Sequence, residues 1–101
     1  MNQKMLGDLM QQAQAMQGHM ARIQKEAAQK TVTATTGGGM VCVTANGQQE
    51  IVSLTIDPEI IQSGDVDMLR DLILSGVNEV LRKSKAMMSE ELKALGLPNL
   101  F

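Results

Sequence analysis

Few side chains in this sequence of 101 residues are suited to covalent or metal chemistry. His19 and Cys42 are the only histidine and the only cysteine, hence the only pair from which a thiolate and its base could be assembled. They fall on different predicted elements with no third group nearby to orient them. His19 therefore reads as a helix-surface residue and Cys42 as a small side chain on one face of a strand. Asp65, Asp67 and Asp71 begin with the alternation of a calcium loop. Such a loop needs Gly at its sixth place and Glu at its twelfth, and the sixth place from Asp65 is Arg70. These acids fit the start of a helix better, with Asp65 as N-cap and Asp67 at the positive end of the dipole. Gly37-Gly38-Gly39 has the composition of a phosphate cradle, but a strand follows it where a helix and a Lys-Ser/Thr pair would be required. It reads as a turn. No cofactor, no metal, no small-molecule substrate and no enzymatic activity are expected.

Binding chemistry has more support. Arg82-Lys83-Ser84-Lys85 is the one dense basic cluster, although on a helix these residues spread over about 300°. The net charge of −2 hides an uneven distribution: residues 1–30 carry +2, residues 31–69 carry −5 and residues 70–101 carry +1. An anionic partner should therefore meet the ends of the chain, not its middle. Phe101 is the only aromatic residue, which excludes the single-strand readers that stack bases on aromatic platforms. No apolar run approaches the roughly 18 residues of a membrane span, and no signal-peptide segment opens the chain. A cytosolic protein with a reduced thiol is expected, without membrane contact.

The elements that would position these charges follow from periodicity. Residues 2–30 predict one long helix, with Met5, Leu9, Met16, Met20, Ile23 and Ala27 on its apolar stripe and Gln on its polar face. Residues 31–56 change to β-branched alternation, punctuated by Gly37–Gly39 and by Asn46-Gly47. The Asn-Gly pair predicts a tight hairpin in which both turn positions take φ > 0. A three-stranded antiparallel meander, order 1-2-3, results, with Val52, Leu54 and Ile56 on one face of the last strand. Asp57-Pro58-Glu59 ends that strand in a turn or short helix. Residues 65–95 predict a second long helix, with stripe residues Leu69, Leu72, Ile73, Val77, Val80, Leu81, Met88, Leu92 and Leu95. Gly96 and Pro98 stop it, and residues 96–101 form a short tail.

These lengths do not match. Six-residue strands span about 20 Å, and each long helix runs roughly twice that. Both apolar stripes continue beyond what so small a sheet can cover, and the sheet has two edges of its own. A homodimer with helical arms leaving a shared β core is the expected arrangement. The nine Met residues, most of them on the stripes, suit a flexible core or a dimer seam.

Taken in order, the pieces resemble the YbaB/EbfC family of nucleoid-associated proteins. The resemblance is carried by Gly7-Asp8-Leu9-Met10, Gln12-Ala13-Gln14 with Met16-Gln17 and Met20, and Gly37-Gly38-Gly39-Met40-Val41. It continues through Val43-Thr44 with Asn46-Gly47, Ile56-Asp57-Pro58-Glu59, Met68-Leu69 with Asp71-Leu72, Val77-Asn78, and the Leu97-Pro98 and Phe101 ending. It spans almost the whole chain as one domain, 1–101. It implies an α+β fold, α-β-β-β-α subunits paired as a tweezer-like homodimer, duplex-DNA binding, and a place in the nucleoid in its organisation or in gene regulation. The strands carry no Lys or Arg, so DNA contact falls to the helices, through Lys4, Arg22, Lys25, Arg82, Lys83, Lys85 or Lys93. Three arginines and no helix-turn-helix pattern predict little sequence discrimination. The competing expectation is a dimeric scaffold whose Met-rich stripes bind other proteins.

Overall fold

The computed structural model describes residues 2–94 and 96. Leu95, Leu97, Pro98 and Phe101, on which the predicted helix end and tail depend, lie outside the described residues. The elements run α1 (Gln3–Gln29), β1 (Thr31–Thr36), β2 (Val41–Asn46), β3 (Ile51–Ile56), α2 (Pro58–Gln62) and α3 (Val66–Ala94). Each helix start has a local cause. The Met5 amide donates to Asn2 Oδ1 at 2.8 Å, which caps α1. The Glu59 amide donates to Asp57 Oδ1 at 2.9 Å, and Pro58 occupies the first turn of α2, where its missing N–H costs nothing. The Met68 amide donates to Asp65 Oδ1 at 2.9 Å, so the predicted cap of α3 is present.

The three strands form an antiparallel sheet in the order β1-β2-β3. Gly37, Gly38 and Gly39 all take positive φ in the β1–β2 turn, a conformation that would strain other residues. Val41, Val43 and Ala45 of β2 are fully buried and point to one face, together with Ala34 of β1 and Val80 of α3. Leu69, Leu72, Ile73, Val77 and Leu81 of α3 close over them. Each buried valine contributes roughly 1.5–3 kcal/mol through its transfer from water. α3 is tied down at both ends of the sheet: Thr36 Oγ1 donates to the Leu72 carbonyl at 2.8 Å, and Ser84 Oγ donates to the Asn46 carbonyl at 2.6 Å.

β3 contributes no residue to this core. In register, Leu54 stands opposite Val43 and Ile56 opposite Val41, so both face the α3 side. Leu54 is nonetheless 45% exposed, because α3 lies over β1 and β2 and stops short of β3. The predicted Val52–Leu54–Ile56 alternation also breaks at a register shift that sets Ile51 opposite Ala45. Thus the apolar face expected of β3 exists, with Ile51 joining it, and the chain's own helices leave it uncovered. A second small core joins Ile23 and Ala27 of α1 to Met88 and Leu92 of α3, with Met20 packed against it. From residue 3 to residue 19 every position of α1 is exposed. The chain is accordingly elongated, 73 × 18 × 17 Å.

Candidate nucleic-acid interface

The sheet has two ends, and their charges differ in sign. At the end marked by the Gly37–Gly39 turn stand α2 and the start of α3. They carry Asp57, Glu59, Asp65, Asp67 and Asp71 against a single Arg70, a net charge of −4. Arg70 is held there by Asp67 at 3.4 Å and Asp71 at 3.3 Å. At the opposite end, the second halves of α1 and α3 (residues 22–30 and 79–93) come together with net charge +3, which Glu50 of the adjoining loop lowers to +2. Fields sum over such groupings, so an anion approaching this molecule is repelled by one pole and attracted by the other.

The basic pole is built around Asn46. Its side chain is buried, and Oδ1 accepts from the amides of Gln48 at 2.9 Å and Glu50 at 3.1 Å while Nδ2 donates to Glu50 Oε1 at 3.1 Å. The expected tight Asn46-Gly47 turn is therefore corrected. Asn46 closes β2, the loop runs through Gly47 to Glu50, and the positive φ falls on Gln49 instead. Gly47 is required for space. Its amide donates to the Ala27 carbonyl at 2.7 Å, and a Cβ built on it would lie 2.8 Å from that oxygen. Gln48 Nε2 donates to the Gln24 carbonyl at 3.1 Å. The loop thus clasps the last turns of α1 and fixes their position over the sheet end. Between α1, the loop and α3 lies a cleft of about 320 Å³ lined by Gln24, Gly47, Gln48, Gln49, Lys85 and Met88.

The seven basic residues singled out from the sequence are not one cluster. Lys85 lines the cleft, with Lys25 following Gln24 on the α1 side. Arg22 donates to His19 Nδ1 at 2.8 Å on the surface of α1. Lys93 lies in the last turn of α3, where the helix dipole favours a cation. Lys4 is in the first turn of α1, at the far end of the exposed arm. Lys83 folds back, its Nζ donating to the Thr33 carbonyl at 2.9 Å. Arg82 is paired with Glu79, three residues before it, and that hydrogen bond first, then the guanidinium charge, holds the Glu79 carboxyl below its ordinary value. Lys83, four residues after Glu79, is not its ion-pair partner.

The helical arms expected to leave the β core do not carry Arg82, Lys83 and Lys85. Ser84, between them, is fully buried against Asn46, so this stretch of α3 still lies over the end of the sheet. Sequence reasoning read Asn46 as a turn residue and missed its organising role, and it missed Gln48 and Gln49. The sequence signals there, an Asn-Gly pair and a polar, uncharged loop, do not distinguish a surface turn from a docking clasp. Lys30, which pairs with Glu91, is likewise a fastening between α1 and α3. Among the described residues, no group of three His, Cys, Asp or Glu side chains is placed to hold a metal ion. Among the described helices, none is long and apolar enough to cross a membrane.

Residues 1–98 match the YbaB/EbfC DNA-binding family. The chain belongs to this family. Its relatives in the family include a nucleoid-associated protein of Acetivibrio thermocellus, 46% identical over 101 residues and covering 95% of this chain and 89% of that one. A nucleoid-associated protein of Chloroflexus aggregans is 44% identical, with both chains covered in full. The crystal structure of the uncharacterized protein HP0035 of Helicobacter pylori superposes with a TM-score of 0.70 at 26% identity, covering 95% of this chain and 94% of that one. The α-β-β-β-α architecture of this YbaB/EbfC chain is thus that of a solved fold, with the short α2 inserted before the last helix.

Proposed function

We propose that the chain is a single-domain, non-enzymatic nucleoid protein of the cytoplasm that binds duplex DNA as a homodimer, with little sequence specificity, through its basic pole. The segregation of charge carries this reading: net +2 at the junction of α1, α3 and the Asn46–Glu50 loop and net −4 at the α2 end give one face that phosphate can approach. The cations offered there without a carboxylate partner among the described residues are Arg22, Lys25, Lys85 and Lys93, while Lys83 is already bonded to the Thr33 carbonyl. Lys4 supplies a remote contact. Arg82 is a lesser one because Glu79 neutralises it.

Low specificity has a physical basis. Bidentate reading of guanine in the major groove is chiefly arginine's task. Arg70 stands at the acidic pole and Arg82 is engaged, which leaves Arg22 alone. The dimer is supported by the uncovered apolar face of β3, Ile51, Val52 and Leu54, and by a shallow apolar groove of about 470 Å³ along Val66, Leu69, Ile73, Leu74 and Val77 of α3. Pairing two copies through the β3 face doubles the basic poles available to one duplex. That number matters because a single pole offers too few charges for firm non-specific binding.

Fluorescence anisotropy of a random-sequence duplex, titrated with protein at several salt concentrations, tests the proposal. Binding at low salt with a steep salt slope, and competition by any unlabelled duplex nearly as good as self-competition, is the expected result. No binding at about 50 mM salt refutes it and leaves the scaffold reading. A preference above about a thousandfold for one site refutes the low specificity.

A further inference from the structure

α1 carries a seven-residue repeat that the chain itself covers only at one end. Leu6, Ala13, Met20 and Ala27 recur every seven residues, and Leu9, Met16 and Ile23 do so three residues later. This three–four alternation is the seam of a coiled coil. Its last layers, Met20, Ile23 and Ala27, are packed on Met88 and Leu92 of α3. α3 is described to Ala94, and the same seam runs on along α1 with no described residue packed against it. There Leu6, Leu9 and Met16 are 52%, 50% and 51% exposed.

The residues beside the open seam decide what can cover it. From Met5 to Gln24 the flanking positions are Met5, Met10, Gln12, Gln17, His19 and Gln24, without a carboxylate, Lys or Arg. Between residues 3 and 21 the only such charges are Lys4 and Asp8, which cancel and lie off the seam. Duplex DNA does not fit, because binding to it is driven by cations that this surface lacks. A distinct coiled-coil partner is selected by charges at the flanking positions, and those too are missing. Identical helices fit, since uncharged flanks bring no like charges together and the seam that meets α3 continues unbroken into the free segment.

We propose that residues 3–19 of α1 pair with the same segment of a second copy, forming a self-association face separate from the β3 face. A chain with two such faces, each joining like to like, assembles copies in alternation along a line or closes them into a ring. The pairing does not depend on DNA binding. Its consequence, that successive basic poles hold separate duplexes together, rests on the function proposed above.

Sedimentation velocity of the full chain from about 1 to about 500 µM tests this, the range in which short coiled-coil seams associate. Three proteins are compared: the parent, Leu9→Gln with Met16→Gln, and Leu54→Asp. Glutamine keeps helix propensity and adds no charge, so the double variant should fold and bind an isolated duplex within about twofold of the parent. The parent is expected to pass beyond the dimer as concentration rises, and the double variant to show one association step fewer. Leu54→Asp is expected to keep the arm-dependent step and lose the other. Identical association of the parent and the double variant overturns the arm pairing. Retention of every step by Leu54→Asp leaves the arm pairing intact and overturns the β3 dimer instead.

Discussion

Replacing Lys85 by glutamine is expected to flatten the salt dependence of DNA binding, whereas replacing Arg82, three residues earlier, is expected to change it much less. Lys85 opens on the cleft at the basic pole; Arg82 is already neutralised by Glu79. In a homodimer each substitution removes two charges. If both Lys85 side chains reach phosphate, the slope of log K against log salt moves toward zero by about 1.8. Over a fourfold rise in salt, from about 50 to about 200 mM, the variant then loses about tenfold less affinity than the parent. Adding Lys25→Gln doubles the change in slope and brings the difference to about a hundredfold. For Arg82→Gln the slope should move by less than half the Lys85 value, because its counterion is already displaced by a carboxylate. Anisotropy titrations at four salt concentrations measure all three, with circular dichroism to confirm equal helix content. A slope change for Arg82→Gln equal to that of Lys85→Gln would refute the reasoning, since the ion pair would then have no bearing on phosphate contact. An unmoved slope for Lys85→Gln would remove the cleft from the interface.

Other expectations bear on the scaffold that holds this pole. Gly47→Ala places a methyl against the Ala27 carbonyl and should lower stability by about 1–3 kcal/mol, read from thermal or urea melting; an unchanged melt would mean that α1 is not clasped there. Glu79→Gln releases Arg82 and should strengthen duplex binding and steepen its salt slope, which the same titrations detect. Glu79 has a depressed pKa in the folded chain, so its contribution is complete above its ordinary value of 4.5 and is lost as pH falls through the depressed value. A melting series below pH about 5 should therefore be flatter for Glu79→Gln than for the parent, by a small margin because the pair is exposed to solvent.

Periodicity and punctuation made most of the fold legible. The change from a helical stripe to β-branched alternation at Thr31, the Asp65 cap and Pro58 are local signals, and each acts through contacts within a few residues. What escaped was decided at long range. Asn46-Gly47 has the composition of a tight hairpin, yet Asn46 spends its side chain organising a longer loop and Gly47 yields room to α1, a helix some twenty residues earlier. The β3 face was legible as apolar, but its exposure depends on where α3 lands across the strands. The basic residues were legible as charges and not as a site, because hydrogen bonds to Glu79 and to the Thr33 carbonyl take up two of the three in the densest cluster.

The exposed first part of α1 has a consequence in time. A helical segment whose side chains are all exposed among the described residues is held chiefly by its own backbone hydrogen bonds, and stretches of this length are marginal in water. Its amides should exchange with deuterium many times faster than those of β2, whose opening requires global unfolding. The arm is then a segment whose helicity is set by what it touches. At low concentration it frays and offers a protease its backbone between Gln3 and Met16, while at high concentration a covering surface protects it. Order in this part of the molecule is therefore a property of the surroundings as much as of the chain, and exchange rates along α1 would report how crowded the protein is.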